Sequence, residues 1–238
     1  MRTIRLIATR ELGDLFGSRA KGIRMLLFVG MLPVLTLVIL RLQLARPDYD
    51  IARLPTGVLV SFMYTGILPL NFSMGMAALS FASEFESGTI VPLLAAPVRT
   101  SAIFAGKLVA ALAAGIGLAW FSQGLLFGLF SPMLNRPWPV PLSVTLLMSA
   151  GVPVLAFPLV AMTMVLGSRA RQARTAQANS TLAFLAVLAV SLLIAWRRPP
   201  LTPPVVAAAA LGGLAGGAVL LAVGMRLWDR EELLSRSD

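Results

Sequence analysis

Cysteine and histidine are both absent from the 238 residues. With them go thiol nucleophiles, disulfides, imidazole bases and nearly every zinc, copper or haem-ligand arrangement. A chain without thiols is indifferent to redox compartment, so their absence assigns none. Charge is scarce too: 13% of residues are Asp, Glu, Lys or Arg, where soluble chains carry about 25%. Polar connections reach about two dozen residues at most, too short to hide a soluble catalytic domain. What is plentiful is apolar surface, with 58% hydrophobic residues and 20 glycines besides. About a third of the chain is left to be polar, too little to cover a globule facing water on all sides. Its solvent is expected to be largely lipid.

A membrane-spanning helix needs about 20 mainly apolar residues, and six such stretches stand out: about Met25 to Leu44, Pro55 to Ala82, Ser101 to Phe127, Val140 to Leu166, Ala178 to Trp196, and Pro204 to Val223. The second is expected to tilt or bend at Pro69, and the fourth to be interrupted by Pro153 and Pro158. Lys107, near the entrance of the third, is expected to snorkel toward the headgroups. Six spans put both termini on one side. With the termini inside, fourteen of the twenty Lys and Arg residues fall on inner segments and six on outer loops, which predicts cytoplasmic termini. The net charge of +10 is then mostly topological, and no nucleic-acid partner is expected. About 24 residues with six basic ones precede the first apolar run, and no small-x-small cleavage site follows, so that run is expected to stay.

Within residues 1–23, Ile4, Ile7, Ala8, Leu12, Leu15, Phe16, Ala20 and Ile23 recur at three- and four-residue spacing, while Arg2, Arg5, Arg10, Asp14, Arg19 and Lys21 occupy much of the rest. The pattern predicts an amphipathic helix in the cytoplasmic interface, its cations toward anionic lipid, with Gly13 and Gly17 as places where it breaks. The expected domains are therefore this leader, 1–23, and a six-span transmembrane body, 24–238.

Between the second and third spans, Glu84 and Glu86 end one helix, and Thr89 to Ala96 form an apolar piece too short to cross and too apolar for a plain solvated loop. Gly88 suits a left-handed corner, and Thr89 an N-cap for the short helix that follows. Exposed Leu93 and Leu94 on the cytoplasmic side call for a partner surface on another chain. As an acid/base pair Glu84 and Glu86 have no supporting His, Ser or metal, so no catalysis is expected of them.

Glu84-Phe85-Glu86-Ser87-Gly88-Thr89, Leu93-Leu94, Pro97 and Gly106-Lys107 together resemble the E-x-E-x-G-T, L-L, P, G-K run of ABC type-2 exporter permeases. Span count and leader helix extend the similarity over nearly the whole chain. The resemblance implies an all-α integral membrane fold of six spans, an interfacial N-terminal helix and a short cytoplasmic coupling helix. It implies that Glu84, Glu86, Gly88, Thr89, Leu93, Leu94, Pro97 and Arg99 meet a separate nucleotide-binding ATPase, which holds the ATP and Mg. It further implies a second permease copy or paralogue. Gly106-Lys107 is the nearest approach to a phosphate-binding loop, but Ser101 and Leu108 stand where that loop needs Gly and Ser or Thr, so no cofactor is expected on this chain.

Gly124 and Gly128 make one G-x-x-x-G pair, and Gly212, Gly213, Gly216 and Gly217 make two more. Helix packing inside one subunit is expected of them before a dimer seam. Asn71 and Gln123 are uncharged polar groups within spans, candidates for a cargo path or for joining helices. No ionised group lies at the centre of a span, which disfavours a gradient-driven carrier. Few polar groups face a path, so hydrophobic or amphipathic cargo is expected, as in a haem-exporter-like permease of cytochrome c maturation. A membrane scaffold that recruits a soluble partner and transports nothing is the alternative, and no metal site or enzyme activity is expected.

Overall fold

A computed structural model of the protein describes residues 2–17, 19–89, 100–168, 170, 172–197, 211–212 and 214–223. Helices account for nearly all of them, and no strand occurs among the described residues. Helix α1 is Arg2–Phe16, α2 Arg19–Leu44, α3 Leu54–Ile67 after a 3-10 turn at Ile51–Arg53, α4 Leu70–Glu86, α5 Thr100–Leu134, α6 Leu142–Ser168 and α7 Ala173–Arg197. A short apolar helix, α8, spans Leu214–Val223.

Among the described residues, four stretches are long and apolar enough to cross a membrane: Gly22–Leu44, Ile51–Glu86, Ser101–Leu134 and Leu142–Ser168. They coincide with the first four predicted spans, as expected of a helical membrane protein. Large apolar side chains face outward along them, Leu27, Phe28 and Met31 each more than half exposed, and such a surface requires an apolar solvent. The fifth predicted span lies within α7. Of the sixth, residues 204–210 and 213 lie outside the described residues.

The helix is interrupted at Pro69, where a tilt or bend is expected: α3 stops at Ile67 and α4 starts at Leu70. Pro69 has no N–H to donate to the Thr65 carbonyl four residues back, so the ladder fails there. Pro153 and Pro158 differ from expectation, since α6 runs through both without interruption. The amphipathic leader divides at Gly17: residues 2–16 form α1, and residues 19–23 already belong to α2.

The chain packs as two units. Unit 1 comprises Met1–Asp14, Asn71–Gly115 and Pro153–Asp238. Its core joins Ala77 and Phe81 of α4, Ile103, Phe104, Leu108 and Ala111 of α5, and Val160 and Met164 of α6. The Phe81 and Phe104 rings stack 5.5 Å apart, and Ser73 donates to the Ala111 carbonyl at 2.5 Å. Gly167 lets α6 lie directly on α4, because a Cβ there would overlap the Ala78 backbone. Unit 2 comprises Leu15–Leu70 and Ile116–Val152. Its core is Leu37, Leu40, Leu54, Val58, Phe62, Leu126, Phe130 and Val140. Trp138 presents its ring edge-on to Phe62, Phe127 and Phe130 at 5.7, 5.0 and 5.1 Å. Its indole N–H donates to Thr145 at 3.0 Å.

Candidate functional site

The last turns of α4 place Ser80 and Glu84 one helical turn apart on the same face, opposite Lys107 in the second turn of α5. Lys107 is buried, 3% exposed, so it does not snorkel as the sequence led us to expect. Its ammonium donates to Glu11 of α1 at 2.5 Å, to Glu84 at 2.9 Å and to the Ser80 carbonyl at 2.9 Å. It also lies 5.2 Å from the centre of the Phe81 ring. A lysine has three N–H donors, and here each has an acceptor, while the ring face adds a cation–π contact. Two carboxylates and one ammonium leave the cluster formally one negative charge in excess, and Glu84 Oε2 is buried without a partner.

The residue beside Lys107 completes the junction. A Cβ on Gly106 would stand 2.7 Å from the Ile7 side chain and 3.2 Å from the Ile4 carbonyl, so only glycine lets α1 lie this close to α5. Ile7 packs on the unit 1 core and Ala8 is buried, whereas Arg5, Leu6, Thr9 and Arg10 are exposed. The apolar stripe of α1 is thus turned toward protein rather than lipid over this length, and its basic side faces out.

Glu84 and Glu86, two residues apart, serve different neighbours. Glu86 Oε1 accepts from the backbone N–H of Ala173 at 2.9 Å, capping the first residue of α7 and placing a negative charge at the positive end of its dipole. Gly88 has φ +70°, the left-handed corner expected of it, and the Ser87 and Thr89 hydroxyls lie 2.8 Å apart across that turn. Leu93, Leu94, Pro97 and Arg99, with the short helix expected around them, lie outside the described residues.

The glycine pairs divide. Gly217 meets Phe157 and Pro158 of α6, at 2.7 Å and 3.0 Å from a built Cβ, as in-chain packing requires. Gly124, Gly128, Gly212 and Gly216 have no atom within 4 Å of that position, so among the described residues they hold no helix inside the chain; Gly213 is outside them. Asn71 opens α4 with its Oδ1 buried and unpartnered. Gln123 is 3% exposed; its Nε2 donates to the Phe62 carbonyl at 3.3 Å, and its Oε1 has no partner.

Sequence reasoning missed Glu11, Ser80 and Lys107 as a cluster. One signal was available: Glu11 follows Ile7 by four residues, so an acid sits on the apolar stripe of α1 and requires a buried cation. No group of three or more His, Cys, Asp or Glu able to hold a metal occurs among the described residues. No family model, curated protein or solved structure matches the chain.

Proposed function

We propose that the chain is the permease subunit of an ATP-driven exporter of hydrophobic or amphipathic molecules. A separate ATPase, carrying ATP and Mg, docks on the cytoplasmic segment that begins at Glu84 and includes Leu93, Leu94, Pro97 and Arg99. In this reading the chain has six spans with both termini in the cytoplasm of a bacterial or archaeal cell. It works beside a second permease, and α1 lies at the membrane surface with its basic side toward lipid headgroups.

One observation carries the reading. The docking segment is fastened at both ends to the same junction, by Glu84 and Glu86 before it and by Gly106 and Lys107 after it. That junction also holds α1 through Glu11 and α7 through the N–H of Ala173. In this reading a push on the segment reaches the four helices anchored beside its ends. The length of α5 agrees: 35 residues give about 52 Å at 1.5 Å per residue, roughly 20 Å more than the hydrocarbon core. Lys107, near its start, can then stand outside the apolar layer.

The test is affinity purification from mild detergent, with identification and stoichiometry of the soluble protein that accompanies the chain. A nucleotide-hydrolysing subunit at one per permease, lost in L93D/L94D, is the expected result. Repeated recovery of the intact chain alone would overturn the exporter reading in favour of a scaffold.

A further inference from the structure

Pro69 in the second span leaves one carbonyl oxygen without its helical donor. Thr65 has lost the N–H that residue 69 would supply in an unbroken helix. Against this turn lies the amide of Gln123, brought there by α5 within unit 2. Gly66 makes the approach possible: a Cβ would stand 2.6 Å from Gln123 Nε2, 3.2 Å from its amide carbon and 3.2 Å from Val152 Cγ2. The donors nearby converge on one acceptor, because Thr65 Oγ1 and Gln123 Nε2 both donate to the Phe62 carbonyl, at 2.9 and 3.3 Å. Gln123 Oε1 is left buried with no partner, in a side chain 3% exposed. An amide oxygen has two lone pairs, and inside a membrane no bulk water serves them.

We propose that Gln123 and the α3 turn at Thr65–Gly66 form a binding site for a hydroxyl group on an otherwise apolar molecule, with Gln123 Oε1 accepting the hydroxyl proton. An ammonium head fits less well, since it would need a counter-charge. The acids of unit 2 are Asp48 and Asp50, both exposed in the connection before α3. A molecule offering only acceptors leaves Oε1 as orphaned as before. Describing the bound alcohol as cargo rests on the exporter reading; the binding does not, and it survives if no ATPase is ever found.

The experiment compares 1-decanol with its methyl ether, which has the same chain and no donor, on the full chain purified in detergent. The alcohol should raise the unfolding midpoint by roughly 3–6 °C at tenfold excess over its Kd, and the ether should not. Q123L removes the acceptor, and G66A retains it but displaces the amide, which a Cβ would meet at 2.6 Å; either should abolish the difference between the two probes. Equal responses to alcohol and ether in the unmodified chain would mean that water alone fills the site, and would overturn the proposal. A full alcohol response in either variant would overturn it as well.

Discussion

Replacing Lys107 with methionine keeps the length of the side chain and removes the charge on which α1, α4 and α5 meet. Glu11 and Glu84 bind the ammonium at 2.5 and 2.9 Å, so their bound oxygens are at most about 5.4 Å apart. Two unit charges at that distance repel by about 3 kcal/mol at an effective dielectric of 20. Losing one partner of a buried ion pair costs about 3–5 kcal/mol in general. Glu11 and Glu84 keep 20% and 22% of their side-chain surface, so water relieves part of the repulsion and the lower end applies. For a chain of this size about 3 kcal/mol corresponds to a fall of roughly 6–12 °C in the unfolding midpoint. The assay is thermal unfolding in detergent of K107M, E11Q, E84Q and the double variants. Each glutamine should be milder than K107M, and E11Q should recover part of the loss when added to it. A K107M midpoint within about 2 °C of the unmodified chain, or additive double variants, would refute the geometry.

G106L should push α1 off α5, because even a Cβ meets Ile7 at 2.7 Å; overpacking of this kind costs about 1–3 kcal/mol. Hydrogen exchange should rise over residues 4–12 while the α6 amides keep their protection. E86A should remove the cap on Ala173 and cost about 1 kcal/mol, with E86Q milder because an acceptor remains; denaturant midpoints separate the two. G88V places a β-branched residue at φ +70° and should cost about 1–2 kcal/mol, with G88N closer to neutral. Because the chain has no cysteine, single cysteines at Thr89 and Arg136 can be labelled from opposite sides of the membrane. Labelling of Thr89 from outside would reverse the proposed topology.

Spans are legible wherever the signal is a run of apolar residues: α6 lies within two residues of its predicted limits at both ends, and the end of α2 and the start of α5 fall within one residue of theirs, whereas α2 starts six residues early and α5 ends seven residues late because helical backbone continues past the apolar run. Pro69 and Gly88 are legible because each constrains the backbone by itself, one through a missing N–H and the other through a φ that side chains disfavour. The cluster around Lys107 is not, since Glu11 and Lys107 are 96 residues apart and nothing local records which acid a lysine will meet. The cap of Glu86 on Ala173 is hidden for the same reason. The direction of the α1 stripe is a subtler case. Periodicity gives an apolar face but is silent on whether lipid or protein covers it; the determinant is Gly106, on a different helix.

The Lys107 cluster also bears on why charges are kept in a chain with so few. Replacing a buried ion pair with well-packed apolar residues is often neutral or stabilising by about 1–4 kcal/mol, so stability alone does not explain them. Position does. An apolar contact between α1 and α5 tolerates sliding, whereas an ammonium with three acceptors on α1 and α4 has one register. The triple variant E11L/K107M/E84L should therefore unfold no earlier than the unmodified chain, yet, on the exporter reading proposed above, lose the stimulation of the proposed ATPase by cargo or lipid. Unfolding and ATP hydrolysis measured on the same reconstituted complex decide it. If the triple variant is stable and fully coupled, the ions set no register and the junction transmits by packing alone. If it is stable and uncoupled, the charges serve motion rather than folding, and the docking segment acts on the spans through Lys107.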